Sequence, residues 1–149
     1  MLKETIVFLI LMICSIQDIK TKRIQIWWLL LCLIPAALLW MMGKELEAWE
    51  IFGGIAVGAV LLVVSRCTKE AIGYGDGLIF IVTGVYLGMW ENLRLLFTSL
   101  IFALLFSVVE VIARKKSTKD EIAFIPFVWI AQTVQMGGLW IETIFEKNL

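Results

Sequence analysis

Six apolar segments, separated by short polar stretches, follow one another along the whole chain. A helix rises about 1.5 Å per residue and the hydrocarbon core of a bilayer is about 30 Å thick, so long apolar segments predict membrane-spanning helices. Several segments are short enough to be re-entrant, but their even spacing and alternating loop charge favour six spans. The segments run roughly over residues 5–16, 26–42, 51–64, 78–90, 95–113 and 122–145.

Lysine and arginine are distributed unevenly between the two predicted sides of the membrane. The stretches after the first, third and fifth segments carry nine of these residues, and the remaining stretches carry four. Because cytoplasmic loops are enriched in lysine and arginine, we predict that both termini lie outside and that the nine-charge side is cytoplasmic. Six tryptophans fit an aromatic belt at the predicted span ends, whereas Trp129 does not and is interpreted as a packing residue.

The overall composition agrees with a membrane protein. Of the 149 residues, 61% are hydrophobic and 17% charged, and the mean hydropathy is +0.94. We therefore predict an all-α, polytopic protein of the cell membrane, with residues 1–149 as one transmembrane domain and the lipid bilayer as its surroundings. The net charge of zero gives no support for nucleic-acid binding. The apolar start of the chain has no A-x-A-like cleavage site, so we interpret it as a retained span.

Cysteine and histidine usage excludes several kinds of site. The three cysteines, Cys14, Cys32 and Cys67, are scattered without a CxxC pair, so neither a disulfide framework nor a zinc ribbon is indicated. Histidine is absent, which excludes a Ser-His-Asp triad and HExxH zinc hydrolysis. Carboxylates remain as the groups able to activate water, and we expect no metal and no cofactor.

Glycine spacing predicts one contact between helices. Gly54 and Gly58 in the third segment, and Gly84 and Gly88 in the fourth, fit the small-xxx-small pattern of closely packed membrane helices. We therefore expect the third and fourth helices to touch, although glycine is common in membrane helices generally.

Asp76 lies among three glycines, Gly73, Gly75 and Gly77, where the fourth apolar segment begins. An ionisable residue at the edge of a span is by default a functional candidate. Asp18 ends the first segment on the same predicted side. Asp18 follows Glu4 by fourteen residues, and Asp76 precedes Trp90 by fourteen, so both carboxylates are expected at similar depth.

Two carboxylates and a water molecule are sufficient for peptide hydrolysis. One ionised aspartate takes a proton from water while the protonated partner polarises the scissile carbonyl group. The pair shares one proton, and its titration belongs to both residues together. The glycines beside Asp76 lack side chains, so an extended substrate could approach the acid.

At these residues the chain resembles the type IV prepilin peptidase family. Residues 73–76, Gly-Tyr-Gly-Asp, match the GxGD motif of membrane aspartic proteases; Asp18 opens a basic stretch; and Pro126 and Phe127 begin the last segment. The resemblance implies that Asp18 and Asp76 are catalytic, that Gly73 and Gly75 belong to the motif, and that Gly77, Pro126 and Phe127 support the substrate site. It implies cleavage of prepilin-like precursors between a basic leader and a hydrophobic helix, on the cytoplasmic side.

The sequence also departs from the family pattern. Residues 24–26 read Ile-Gln-Ile where relatives often have Ile-Pro-Asn, and Leu78 stands where a lysine is frequent. The longer members carry a domain with paired cysteines and a linked N-methyltransferase activity. This chain resembles the short, peptidase-only form, without methyltransferase activity.

Other readings of the two aspartates stay open at the level of sequence. Asp18 could be a loop acid paired with Lys20 or Lys22, and Asp76 a turn residue between glycines. A small transporter could use intramembrane acids to bind protons or cations, and an assembly subunit could be catalytically idle. A transporter would place its acids nearer the midplane, whereas both of these lie toward one face.

Overall fold

Six helices make up the fold in the computed structural model. The model describes residues 2–21, 24–41, 46–68, 73–114 and 123–147, and this part of the chain contains no strand. The helices are α1 (Leu2–Thr21), α2 (Ile26–Met41), α3 (Ala48–Cys67), α4 (Tyr74–Leu87), α5 (Met89–Arg114) and α6 (Ile125–Lys147). The prediction of six helical segments is confirmed. α1 ends later and α4 begins earlier than the predicted bounds, so that Asp18 lies inside α1 and Asp76 inside α4.

Two of the described helices, α3 and α5, are long and apolar enough to cross a membrane. In each helix, only 17% of the 18-residue apolar stretch is buried inside the protein. The core helix of a soluble protein would be mostly buried, whereas α5 turns side chains such as Leu104, Val109 and Ile112 outward. The remaining spans, and the side on which each terminus lies, stay predictions. The predicted cytoplasmic stretch 115–122 lies outside the described residues.

The contact between α3 and α4 is closely packed at glycines, as the small-xxx-small spacing predicted. A methyl group added at Gly54 would collide with the backbone of Gly84, and one added at Gly58 would collide with the backbone of Ile81. Gly88 also lies against α3, since a methyl group added there would be 3.5 Å from Cβ of Glu50, and it has a second role. It ends α4 with a φ of 80°, a conformation that a residue with a side chain rarely adopts.

A buried side chain joins α3, α4 and α5 at the same place. Asn92 is fully buried; its Nδ2 donates to the carbonyl oxygens of Gly54, at 3.1 Å, and Phe80, at 2.9 Å. Its Oδ1 accepts a hydrogen bond of 2.8 Å from Thr83 Oγ1. Because each of these groups is buried and paired, the network costs little desolvation energy and fixes the register of the three helices.

The outer helices are attached to this centre by separate contacts. The hydroxyl group of Tyr86 on α4 donates to the carbonyl oxygen of Cys32 on α2. Phe8 on α1 and Trp129 on α6 have ring centroids 5.5 Å apart, which confirms that Trp129 is a packing residue. Near the start of α1 and the start of α5, Lys3 Nζ lies 3.9 Å from Glu91 Oε2. The core therefore centres on α4, with buried side chains from α1, α2, α5 and α6 packed around it.

Candidate active site

Asp18 lies in the last turns of α1 and faces the protein interior. Its exposed fraction is only 8%. Oδ2 of Asp18 accepts a hydrogen bond of 3.1 Å from the backbone amide of Ile125, the first residue of α6. Since Ile125 itself is fully buried, this contact brings the end of α1 and the beginning of α6 together in the interior.

Asp76 lies in the first turn of α4. Its backbone amide donates to the carbonyl oxygen of Gly73 at 3.0 Å, and its carboxylate accepts a hydrogen bond from the Gly73 backbone. Gly73 is the residue that precedes the helix, so these bonds fix the side chain at the helix start. The carboxylate of Asp76 is partly buried and lies within Coulombic range of the Asp18 carboxylate.

The two predicted catalytic residues are thus near one another at one end of the helix bundle. Asp18 comes from the end of α1 and Asp76 from the beginning of α4, and α6 begins beside Asp18. Two carboxyl groups that interact can share a proton and act as acid and base. In the described part of the chain, no group of three or more His, Cys, Asp or Glu side chains could hold a metal ion.

At the three glycines around Asp76, other atoms of the protein lie where a side chain would begin. A methyl group added at Gly73 would lie 2.9 Å from Asp76 Oδ2, and one added at Gly75 would lie 2.6 Å from Cδ1 of Ile24. A methyl group at Gly77 would lie 2.6 Å from Leu62 on α3. Gly77 is therefore in a packing position between α3 and α4. At Gly75 and Gly77, the absence of a side chain lets Ile24 and Leu62 pack closely against α4. The approach of a substrate to Asp76 beside these glycines stays a prediction.

Pro126 and Phe127 occupy the second and third positions of α6. The ring of Phe127 packs on Phe106 of α5, with centroids 5.2 Å apart, and the preceding residue, Phe124, packs on Phe80 of α4 at 6.5 Å. These contacts fix the beginning of α6 between α4 and α5. Phe127 thus helps to position the beginning of α6 against α5, and its predicted support of a substrate site stays a prediction.

The contact between the Ile125 amide and Asp18 was not predicted from the sequence. A main-chain donor is present at every residue except proline, so no residue type marks it in advance. The only signal is Pro126, because proline is favoured in the first turn of a helix and lacks an amide hydrogen. That signal indicates where α6 begins, but not what its amide contacts.

A comparison with protein-family models gives a match that agrees with the closeness of the two aspartates. Residues 5–108 match the model of the type IV leader peptidase family, which covers more than half of the chain and includes both aspartates. Neither the curated proteins nor the solved structures that were compared give a match. With a GxGD segment and a second aspartate close together, and with most of the sequence matched, the chain belongs to the type IV leader peptidase family.

Proposed function

We propose that this protein is a membrane-embedded aspartic endopeptidase that removes the basic leader from prepilin-like precursors on the cytoplasmic side of the cell membrane. The observation that carries the proposal is that the carboxylates of Asp18 and Asp76 lie within Coulombic range of each other at one end of the bundle. Family membership supports the peptidase activity. The two-aspartate chemistry and the precursor are the parts that we add.

The proposed reaction uses one water molecule and one shared proton. The ionised aspartate takes a proton from water, whose oxygen adds to the carbonyl carbon of the scissile peptide bond. The protonated aspartate donates its proton to the carbonyl oxygen, which gives a neutral diol. The first aspartate then gives a proton to the amide nitrogen while the second takes one back from a hydroxyl of the diol, and the C–N bond breaks to release the leader as a carboxylic acid and the new amino terminus. The dyad ends with one proton, as it began.

The proposed substrate suits a site at one end of apolar helices. A basic leader would stay in water on the cytoplasmic side, while the hydrophobic helix of the precursor would lie in the bilayer beside the spans. The outward-facing apolar residues of α5 are compatible with such lipid-embedded surroundings.

Co-expression with a prepilin-like precursor tests this proposal. Asp18→Asn and Asp76→Asn each keep the size of the side chain but remove its ability to take up a proton as a base. We expect both variants to accumulate in the membrane and to leave the precursor uncut on a gel. Asp120→Asn, the same change at the chain's third aspartate, is the matched control and should cleave. Cleavage by either Asp18→Asn or Asp76→Asn at the normal rate would refute the two-aspartate mechanism.

We propose further that the protein does not methylate the new amino terminus. This proposal rests on the sequence, which lacks the paired cysteines of the longer, bifunctional relatives. A precursor processed by this protein alone should have an unmodified amino terminus by mass spectrometry. A mass increase of one methyl group would show that the proposal is wrong.

A further inference from the structure

We infer that the beginning of α6 is a positioning element for catalysis: the backbone amide of Ile125 holds Asp18 as the carboxylate, so that Asp18 is the base and Asp76 carries the shared proton. This inference rests on the proposed function. It assigns the base and the acid within the aspartate pair and attributes this assignment to one main-chain amide.

The first step of the argument concerns the donors at the beginning of α6. The amides of Phe127 and Val128 donate to the carbonyl oxygen of Phe124, at 3.0 and 3.4 Å. Pro126 has no amide hydrogen. The amide of Ile125 is therefore the donor of this turn that remains for a group outside the helix, and it is directed at Asp18 Oδ2 at 3.1 Å.

The second step concerns burial. Asp18 is 8% exposed and Ile125 is fully buried, so water has little access to replace this hydrogen bond if it is lost. Hydrogen bonds from an amide to an ionised carboxylate are stronger than those between neutral groups, and low local dielectric strengthens them further. The partial positive charge at the amino-terminal end of α6 acts in the same direction. Burial by itself disfavours a charged carboxylate, and these two effects act against it in favour of the ionised form of Asp18.

The third step compares Asp18 with the other ionisable groups around it. Among the described residues, the ionisable groups near it include Cys14, which is buried, and Lys20, which is exposed, on its own helix, and Asp76 on α4. The first five residues of α6, from Ile125 to Trp129, include no ionisable side chain. Asp76 also accepts a backbone amide, from Gly73, but it is more exposed than Asp18, so water competes with that hydrogen bond and weakens it. The amide of α6 therefore has the larger effect, and it acts on Asp18.

The pair of variants Ile125→Pro and Ile125→Val tests this inference. Proline is well tolerated at the first position of a helix; there it removes the amide hydrogen and also shortens the side chain. Valine is of similar size to proline and keeps the amide. The measurement is the rate of leader removal against pH, with purified protein and a precursor peptide in detergent. A dyad of this kind gives a bell-shaped profile, with an acid limb for the base and an alkaline limb for the acid.

We expect Ile125→Pro to move the acid limb upward by about one to two pH units and to leave the alkaline limb in place. The sign follows from the loss of a donor that stabilises the carboxylate, because Asp18 then takes up a proton at higher pH. Ile125→Val should keep both limbs at their wild-type positions, even if its maximal rate differs. A purely structural role would lower the rate at every pH and move neither limb.

Two results would overturn the inference. A shift of the alkaline limb alone would mean that Asp18 carries the proton, and unshifted limbs would mean that the amide does not act on the charge. If Ile125→Pro fails to fold, replacement of the amide by an ester at the same residue removes the donor and keeps the side chain. Asp18→Asn distinguishes failure of this inference from failure of the proposed function. Loss of activity in that variant with unshifted limbs in Ile125→Pro refutes only this inference, whereas full activity refutes the proposed function.

Discussion

The spaces beside Gly73 and Gly75 are filled by different groups, and this difference leads to a prediction. A methyl group at Gly73 would push on the carboxylate of Asp76 itself, at 2.9 Å, whereas one at Gly75 would push on the end of the Ile24 side chain, at 2.6 Å. We expect Gly73→Ala to lower the cleavage rate by on the order of a hundred-fold, because a displacement of about 1 Å in a reacting group can cost that much. Gly75→Ala should have a smaller effect, since the Ile24 side chain can move.

Ile24→Ala provides the control for this pair. Truncation of Ile24 removes the atoms that a methyl group at Gly75 would meet. It should therefore restore cleavage in the Gly75→Ala variant but not in the Gly73→Ala variant. The measurement is the cleavage rate at equal protein amounts. It compares the wild type, Ile24→Ala, and each glycine variant with and without Ile24→Ala. Equal rescue of both glycine variants would contradict the assignment of Gly73 to Asp76.

The sequence alone identified the two aspartates but not the group that contacts Asp18. Asp18 and Asp76 stand out because an ionisable side chain at the end of an apolar segment is costly and rare. The Ile125 amide could not be found in this way, because its contact depends on how α1 and α6 pack. The role of Gly77 could not be found either, since glycine gives the same pattern whether it admits a substrate or a neighbouring side chain such as that of Leu62.

At the scale of helices, the contact between α3 and α4 gives a prediction about stability. An added methyl group at Gly54 would collide with the backbone of Gly84, which cannot rotate away. We expect Gly54→Ala to lower the free energy of unfolding by about 1–3 kcal/mol or more, which is the usual cost of overpacking. Thermal unfolding in detergent micelles measures the effect.

Gly137→Ala is the matched control for Gly54→Ala. Gly137 lies within α6, and an added methyl group there would meet no atom within 4 Å. Alanine forms helices better than glycine, so this variant should be as stable as the wild type or slightly more stable. If the two variants lowered the unfolding temperature equally, close packing at Gly54 would not be the cause.

The number of helices could be predicted from hydropathy, but their ends could not. Apolar runs mark only the part of a helix that avoids water, so the predicted segments stopped short of Thr21 in α1 and of Tyr74 in α4. Those added turns contain the two aspartates. The second role of Gly88 could not be predicted, because spacing alone does not show that a packing glycine also ends a helix with positive φ.

At the scale of the whole molecule, the uneven distribution of charges predicts the topology. The nine lysines and arginines on one predicted side should hold that side in the cytoplasm, with both termini outside. A single cysteine at Ser117 should then resist a membrane-impermeant maleimide in intact cells, and one at Asn148 should react with it. Cys67 is exposed and should be replaced by serine in both variants. Labelling at Ser117 together with protection at Asn148 would reverse the predicted topology.

The proposed mechanism requires that Asp18 and Asp76 act as one catalytic unit. The most direct test compares the cleavage rate of the double variant, Asp18→Asn with Asp76→Asn, with the rates of the two single variants. Residues that act together in one reaction are strongly non-additive. We therefore predict that each single variant loses essentially all activity over background and that the double variant is hardly worse than either. If the two losses instead multiplied, each aspartate would act independently, and the two-aspartate mechanism would be contradicted.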